Sequence, residues 1–111
     1  MSHVDTAAPG LRRILCGVDR SNRSRDAFAE AAALARQHGA RLILAPLPGR
    51  RRQLDEHQLL SVRASLWSLK RRADERGMPV DLVLPKDAEG LSMREIADRL
   101  DADLVVVPAT R

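Results

Sequence analysis

Tyrosine is absent from this chain, and Phe28 and Trp67 are its only other aromatics. The core must therefore be assembled from Leu, Ile, Val and Ala. A surface that stacks nucleic-acid bases on rings has almost nothing to use. Cysteine is nearly as scarce: Cys16 stands alone, which excludes an intramolecular disulfide and fits a reducing compartment. No stretch has the length and flanks of a secretory leader or a membrane span, so a cytoplasmic location is expected. Metal-ligand spacing is missing as well. His3, His38 and His57 are scattered along the chain and read as surface residues. No Ser sits in a nucleophile elbow, and no carboxylate pair is marked out from the solvated charges. An enzyme is not expected.

What remains is ordinary for one small domain. Of 111 residues, 44% are hydrophobic and 31% charged, enough for a single modest core. The net charge is +4 and the isoelectric point about 10.5. A basic balance can serve nucleic acid or another anionic surface, and two clusters qualify by sequence: Arg50, Arg51 and Arg52, then Lys70, Arg71 and Arg72 with Arg63 and Arg76 nearby. Acids lie among them at Asp55, Glu56, Asp74 and Glu75, so a solvated helix face is favoured and nucleic acid is not the expected partner. Residues 1–10 read as a disordered lead-in and 11–111 as the domain.

The hydrophobic pattern alternates short apolar runs with longer amphipathic segments. Residues 14–18 form a run that ends at Asp19, and Cys16 within it reads as a small buried hydrophobe. A polar turn follows, with Ser21 and Ser24 as candidate N-caps. A helix then places Ala27, Phe28, Ala31, Leu34 and Ala35 on one face and stops at Gly39. The second strand runs into Pro46 and Pro48, and pairing is expected to fail from Pro46 onward. Leu59, Val62, Leu66, Leu69 and Ala73 stripe a long helix over about 55–76, ended by Gly77 and Pro79. A third strand is expected over 80–84. A third helix opens with Ser92 and Glu95 at capping-box spacing, and a fourth strand covers 104–107. The order β-α-β-α-β-α-β predicts a parallel sheet joined by helical crossovers. In such sheets ligands sit beyond the carboxyl ends of strands, where strand order reverses. Asp19 lies there. Its carboxylate could accept a hydrogen bond from a ribose or an amine, or could merely cap the turn with Ser21.

Two long segments resemble the universal stress protein family. RRILCGVDRSNRSRDAFAEAAALARQHGARLILAPLP is similar to its first half: a strand, a Val-Asp turn, an Ala-rich helix, then Gly-Ala-Arg-Leu and a second strand. GMPVDLVLPKDAEGLSMREIADRLDADLVVVPATR is similar to its second half, with Met93 and Ala97 in the helix and Ala102-Asp103-Leu104-Val105-Val106 leading into a strand. The resemblance spans about residues 12–111. It implies a flavodoxin-like (adenine nucleotide alpha hydrolase-like) α/β sheet of order 3-2-1-4-5, here 3-2-1-4 without a fifth strand. It also implies a regulatory role in stress tolerance, and in many members binding of ATP or AMP. Carried over residue by residue, the adenine and ribose contacts would be Gly17, Val18 and Asp19, then Leu47, then Val107.

The same resemblance marks departures. Arg20 replaces the usual Gly after Asp19, Pro46 replaces a common His, and the first two glycine positions of the phosphate loop fall on Pro108 and Arg111. The rest of that loop has no counterpart within the 111 residues. Glycine there lets backbone N–H groups approach a phosphate, and proline has no N–H to offer. Each lost bond to a charged acceptor is worth roughly 1.5–3 kcal/mol, so several together weaken ATP by about a thousandfold or more. The expectation is no cofactor, with at most weak ATP or AMP binding. An unidentified protein partner and a homodimer are the expected partners. Family dimers commonly use the fifth strand; here Leu104, Val105, Val106 and Val107 would form the free edge and pair with a second copy.

Overall fold

The computed structural model describes residues 11–19, 21–47 and 56–108. The expected N-terminal lead-in, Arg20, Pro48, the cluster Arg50, Arg51 and Arg52, and Arg111 lie outside these residues. Eight elements follow one another: β1 (Arg13–Val18), α1 (Arg23–His38), β2 (Arg41–Pro46), α2 (Glu56–Glu75), β3 (Val80–Leu82), α3 (Pro85–Ala88), α4 (Met93–Leu100) and β4 (Leu104–Val106). The four strands form one sheet of order β3-β2-β1-β4. Every pairing is parallel, with Ile14 beside Leu42 and Leu104, and Leu44 beside Leu82. This is the order that the family resemblance implies.

The apolar runs are continuous because the central strands are buried on both faces. Ile14, Cys16 and Val18 point to one side with Leu42 and Leu44. There they meet Ala27, Phe28, Ala31 and Ala35 of α1, and Val62, Leu66, Leu69 and Ala73 of α2. Leu15, Ile43 and Ala45 point to the other side, under Ala88, Ile96 and Ala97. The alanines of α1 keep that helix close to the sheet. Leu34 is only partly buried beside this core, and Leu59 is 38% exposed at the amino-terminal end of α2. The stripe is therefore four residues deep, not five.

Local signals set the helix ends. Gly39 takes the left-handed conformation at φ 63° and its N–H donates to the Ala35 carbonyl, a conformation that costs a residue with a Cβ more. Ser92 and Glu95 form the expected capping box: Glu95 N–H donates to Ser92 Oγ at 3.1 Å and Ser92 N–H to Glu95 Oε1 at 3.2 Å. The N-cap of α1 departs from expectation. Asn22 occupies it without a side-chain cap, and Ser24 lies inside the helix, buried.

Pairing also runs one residue further along β2 than expected. Pro46 stands beside Val18 in the ladder, and Leu47 N–H donates to the Val18 carbonyl at 2.7 Å. Strand geometry alternates the direction of successive N–H groups. The donor that Pro46 lacks would face β3, whose last bond to this strand is Val83 N–H to the Leu44 carbonyl at 2.8 Å. Proline therefore costs the sheet nothing there.

Candidate functional site

Parallel strands bring β1, β2 and β4 to a common carboxyl end, and three of the expected contact residues meet there. Gly17 is the centre. A Cβ placed on it would lie 3.0 Å from Leu47 Cδ1, 3.2 Å from Met93 Cε and 3.4 Å from Val107 Cγ1. The floor of the site is thus a bare glycine backbone with three flexible apolar tips resting on it. Leu47 and Val107 were legible as strand-end residues. Nothing in the sequence marks Met93 for the site; its place at the first turn of α4, just after the Ser92 cap, is what swings its thioether over Gly17. Val18 contributes no side chain to this space, because it is fully buried in the core on the α1 side. Its carbonyl is taken by Leu47 N–H.

Asp19 is bound into the turn. Its Oδ1 accepts from Ser21 N–H at 2.8 Å, Ser21 Oγ at 2.5 Å and Ser24 Oγ at 2.8 Å, and Asp19 N–H donates to Ser24 Oγ at 2.9 Å. Ser24 is the one polar side chain buried among the described residues, and this exchange with Asp19 satisfies it. Partial burial pushes the Asp19 carboxyl upward. The hydroxyls of Ser21 and Ser24, the Ser21 N–H and the positive charge of Arg23 outweigh that push and hold it below the usual aspartate value. The group is an anion at neutral pH, with Oδ2 as the oxygen free of these bonds.

At the opposite end of the sheet, Asp103 does comparable work between strands. Its Oδ2 accepts from Arg12 N–H at 2.8 Å and Arg13 N–H at 3.0 Å, while its own N–H donates to the Arg13 carbonyl at 2.8 Å. These three bonds lock the start of β4 to the start of β1. The two N–H donors, with the charges of Arg12 and Arg13, hold its carboxyl below the usual range.

Within β4, Leu104 and Val106 are buried under the α1 and α2 layer, and Val105 packs with the α4 layer. Val107 is half-buried over Gly17. Among the described residues β4 is an edge of the sheet, with Leu104 and Val106 buried and Val105 half-buried. Pro108 follows, buried and without an N–H.

Within the second basic cluster, Lys70, Arg71 and Arg72 do not share one helix face. Consecutive helix residues point about 100° apart. Lys70 turns inward to donate to the Val80 carbonyl at 3.1 Å and to pair with Asp74 at 3.5 Å, while Arg71 and Arg72 are exposed on other sides. Cys16 is fully buried, and desolvation, with the nearby charge of Glu30, pushes its thiol up to about 12. Among the described residues no group of three or more His, Cys, Asp and Glu could hold a metal ion, and no helix is long and apolar enough to cross a membrane.

Solved structures share this architecture. A universal stress protein from Archaeoglobus fulgidus superposes with a TM-score of 0.64 at 21% identity, over 88% of this chain and 75% of that one. Protein Rv1636 from Mycobacterium tuberculosis gives 0.64 at 27% identity, over 94% and 75%. A member of the family from Burkholderia pseudomallei gives 0.68 at 23% identity, over 91% and 85%. Comparison with curated proteins gave no match. The model of the universal stress protein family matches residues 10–111. With that match over nearly the whole sequence, and the flavodoxin-like sheet of order 3-2-1-4 beneath it, the chain belongs to the universal stress protein family.

Proposed function

We propose that this chain is a regulatory or interaction module of the stress response with a degenerate adenine-nucleotide site and no catalytic step of its own. A reducing, cytoplasmic setting suits a chain whose single cysteine, Cys16, is a free and buried thiol. One observation carries the reading. The tips of Leu47, Met93 and Val107 close over Gly17 so tightly that even a Cβ there would meet them at 3.0, 3.2 and 3.4 Å, and an adenine laid against the strand ends would first have to displace them. Two further features support it. Asp19 spends Oδ1 on its own turn, and Pro108 stands where a phosphate would need a backbone donor.

A second reading has its own support. The three apolar tips are flexible, Asp19 keeps Oδ2 free of those bonds, and a structural relative at 24% identity is a universal stress protein in complex with cAMP. Residual binding of an adenine nucleotide would use exactly that oxygen and those tips. Calorimetric titration with ATP, AMP and cAMP separates the two. The degenerate site predicts dissociation constants weaker than about 100 µM for all three. A low-micromolar constant for any of them refutes it. In that event Asp19→Ala abolishes binding if the second reading holds.

A further inference from the structure

The long helix has a second apolar feature that the domain does not use. α2 buries Val62, Leu66, Leu69 and Ala73 against the sheet. On its far side Leu60 is 60% and Trp67 47% exposed. Together with Leu59 these are the large apolar side chains that the described residues expose, and all of them belong to α2. At 100° per residue, Glu56, Leu60, Trp67 and Arg71 fall within a sector of about 60°, turned away from the buried face; Asp74 falls in the same sector beyond Arg71, where its carboxylate is already paired with Lys70. The first four make a ridge about 22 Å long.

From Glu56 to Arg71 the order along that ridge is acid, apolar, apolar, base, and the acid beyond it, Asp74, is held by Lys70. The midpoint of the ridge lies between Arg63 and Ala64: Glu56 and Arg71 are equally far from it, and so are Leu60 and Trp67. A two-fold axis through the midpoint, perpendicular to the helix, lays the ridge on itself in reverse. Leu60 then meets Trp67 of a second copy and Glu56 meets Arg71, each contact occurring twice. Ala64 at the crossing lets the two helices approach closely, and the aliphatic stem of Arg63 can lie along the apolar surface with its charge in water. Within the chain, neither Glu56 nor Arg71 enters an ion pair among the described residues. A parallel arrangement would set like charges against each other, and a uniformly acidic or basic partner would match only one end. We propose that α2 is a self-complementary docking surface, on which a second copy of this chain binds antiparallel.

One helix pair buries little area, at the low end of specific interfaces, so the dimer should be concentration-dependent. Sedimentation or light scattering from about 5 to 500 µM is expected to show the mass rising from monomer to dimer. Trp67→Lys and Leu60→Lys, at exposed positions, should leave the circular dichroism unchanged and hold the protein monomeric. Glu56→Arg and Arg71→Glu should each weaken the dimer by about tenfold, since each disturbs two ion pairs. The double variant restores both pairs in swapped form and should return to the wild-type constant. Ala64→Cys should cross-link two chains under mild oxidation, with buried Cys16 not competing. A wild-type protein that stays monomeric throughout overturns the proposal. So does a dimer indifferent to Trp67→Lys; if that dimer yields instead to Val105→Lys, the β4 edge is the interface. Failure of the double charge swap to recover what each single swap loses overturns the antiparallel register.

Discussion

Removing the Asp103 carboxylate tests how the starts of β1 and β4 are tied. Asp103→Ala deletes two bonds, from Arg12 N–H at 2.8 Å and Arg13 N–H at 3.0 Å. Bonds to a charged acceptor are worth roughly 1.5–3 kcal/mol where water is excluded. This carboxylate is exposed, so water replaces much of each bond, and about 1 kcal/mol or less remains for each. The total is about 1–2 kcal/mol, or a fall in Tm of about 4–8 °C for a domain of this size. Asp103→Asn keeps an acceptor without the charge and should lose about half as much. The pH dependence is the sharper criterion. The donors hold the folded pKa below the unfolded value of about 4. The contribution is therefore fully present above that value and declines as the pH falls through the folded pKa. Urea midpoints of wild type and Asp103→Ala, measured from pH 7 to pH 3, should differ by a constant amount down to about pH 4 and then converge. A gap equal at both ends of the range, or one that widens in acid, refutes the electrostatic account of this clamp.

Other perturbations have equally definite outcomes. Leu66→Ala opens a cavity beneath α2 at a fully buried position and should cost about 2–5 kcal/mol in denaturant unfolding. Ser24→Ala leaves Asp19 N–H without its acceptor and strips Oδ1 of one donor; a loss of about 1–3 kcal/mol is expected, with the Asp19 carboxyl titrating at higher pH by NMR. Cys16, with its thiol pushed up to about 12, should resist a thiol reagent at pH 8 in the folded protein and react fully in denaturant. Retention on DNA at low salt should vanish near 0.15 M salt, and a sequence-selective complex surviving there would revive the nucleic-acid reading.

Most of the sheet could be read from the letters because its central strands are uniformly apolar and its helices alternate with them at the right spacing. Strand order came with the family likeness. The pieces that escaped are those whose conformation depends on neighbours. α3 has four residues, too few for any periodicity, and its one local mark is Pro85 at the first helical position. Ser24 has the chemistry of a cap, yet the turn uses it as a buried bridge to Asp19. Met93 carries no signal for lying over Gly17, since that contact joins residues far apart in the chain. The strand-end candidates Gly17, Leu47 and Val107 do converge, because parallel pairing fixes their register. Whether Val18 would offer a side chain was decided by the strand's alternation, which turns it into the core.

The partners of β1 differ greatly in how far along the chain they lie. Ile14 pairs with Leu42 on one side and with Leu104 on the other. The first pairing can form as soon as α1 and β2 have been made. The second, with the Asp103 clamp, joins positions 91 and 90 residues apart. At synthesis rates of about 5–20 residues per second, β1 spends several seconds with one row of backbone groups unpaired. Its most apolar letters, Ile14, Leu15 and Cys16, border that open row. The nascent chain is therefore most vulnerable to intermolecular strand pairing during synthesis, before β4 closes the ladder. Changes that delay β4 should reduce the yield of folded protein without altering the stability of the molecules that do fold.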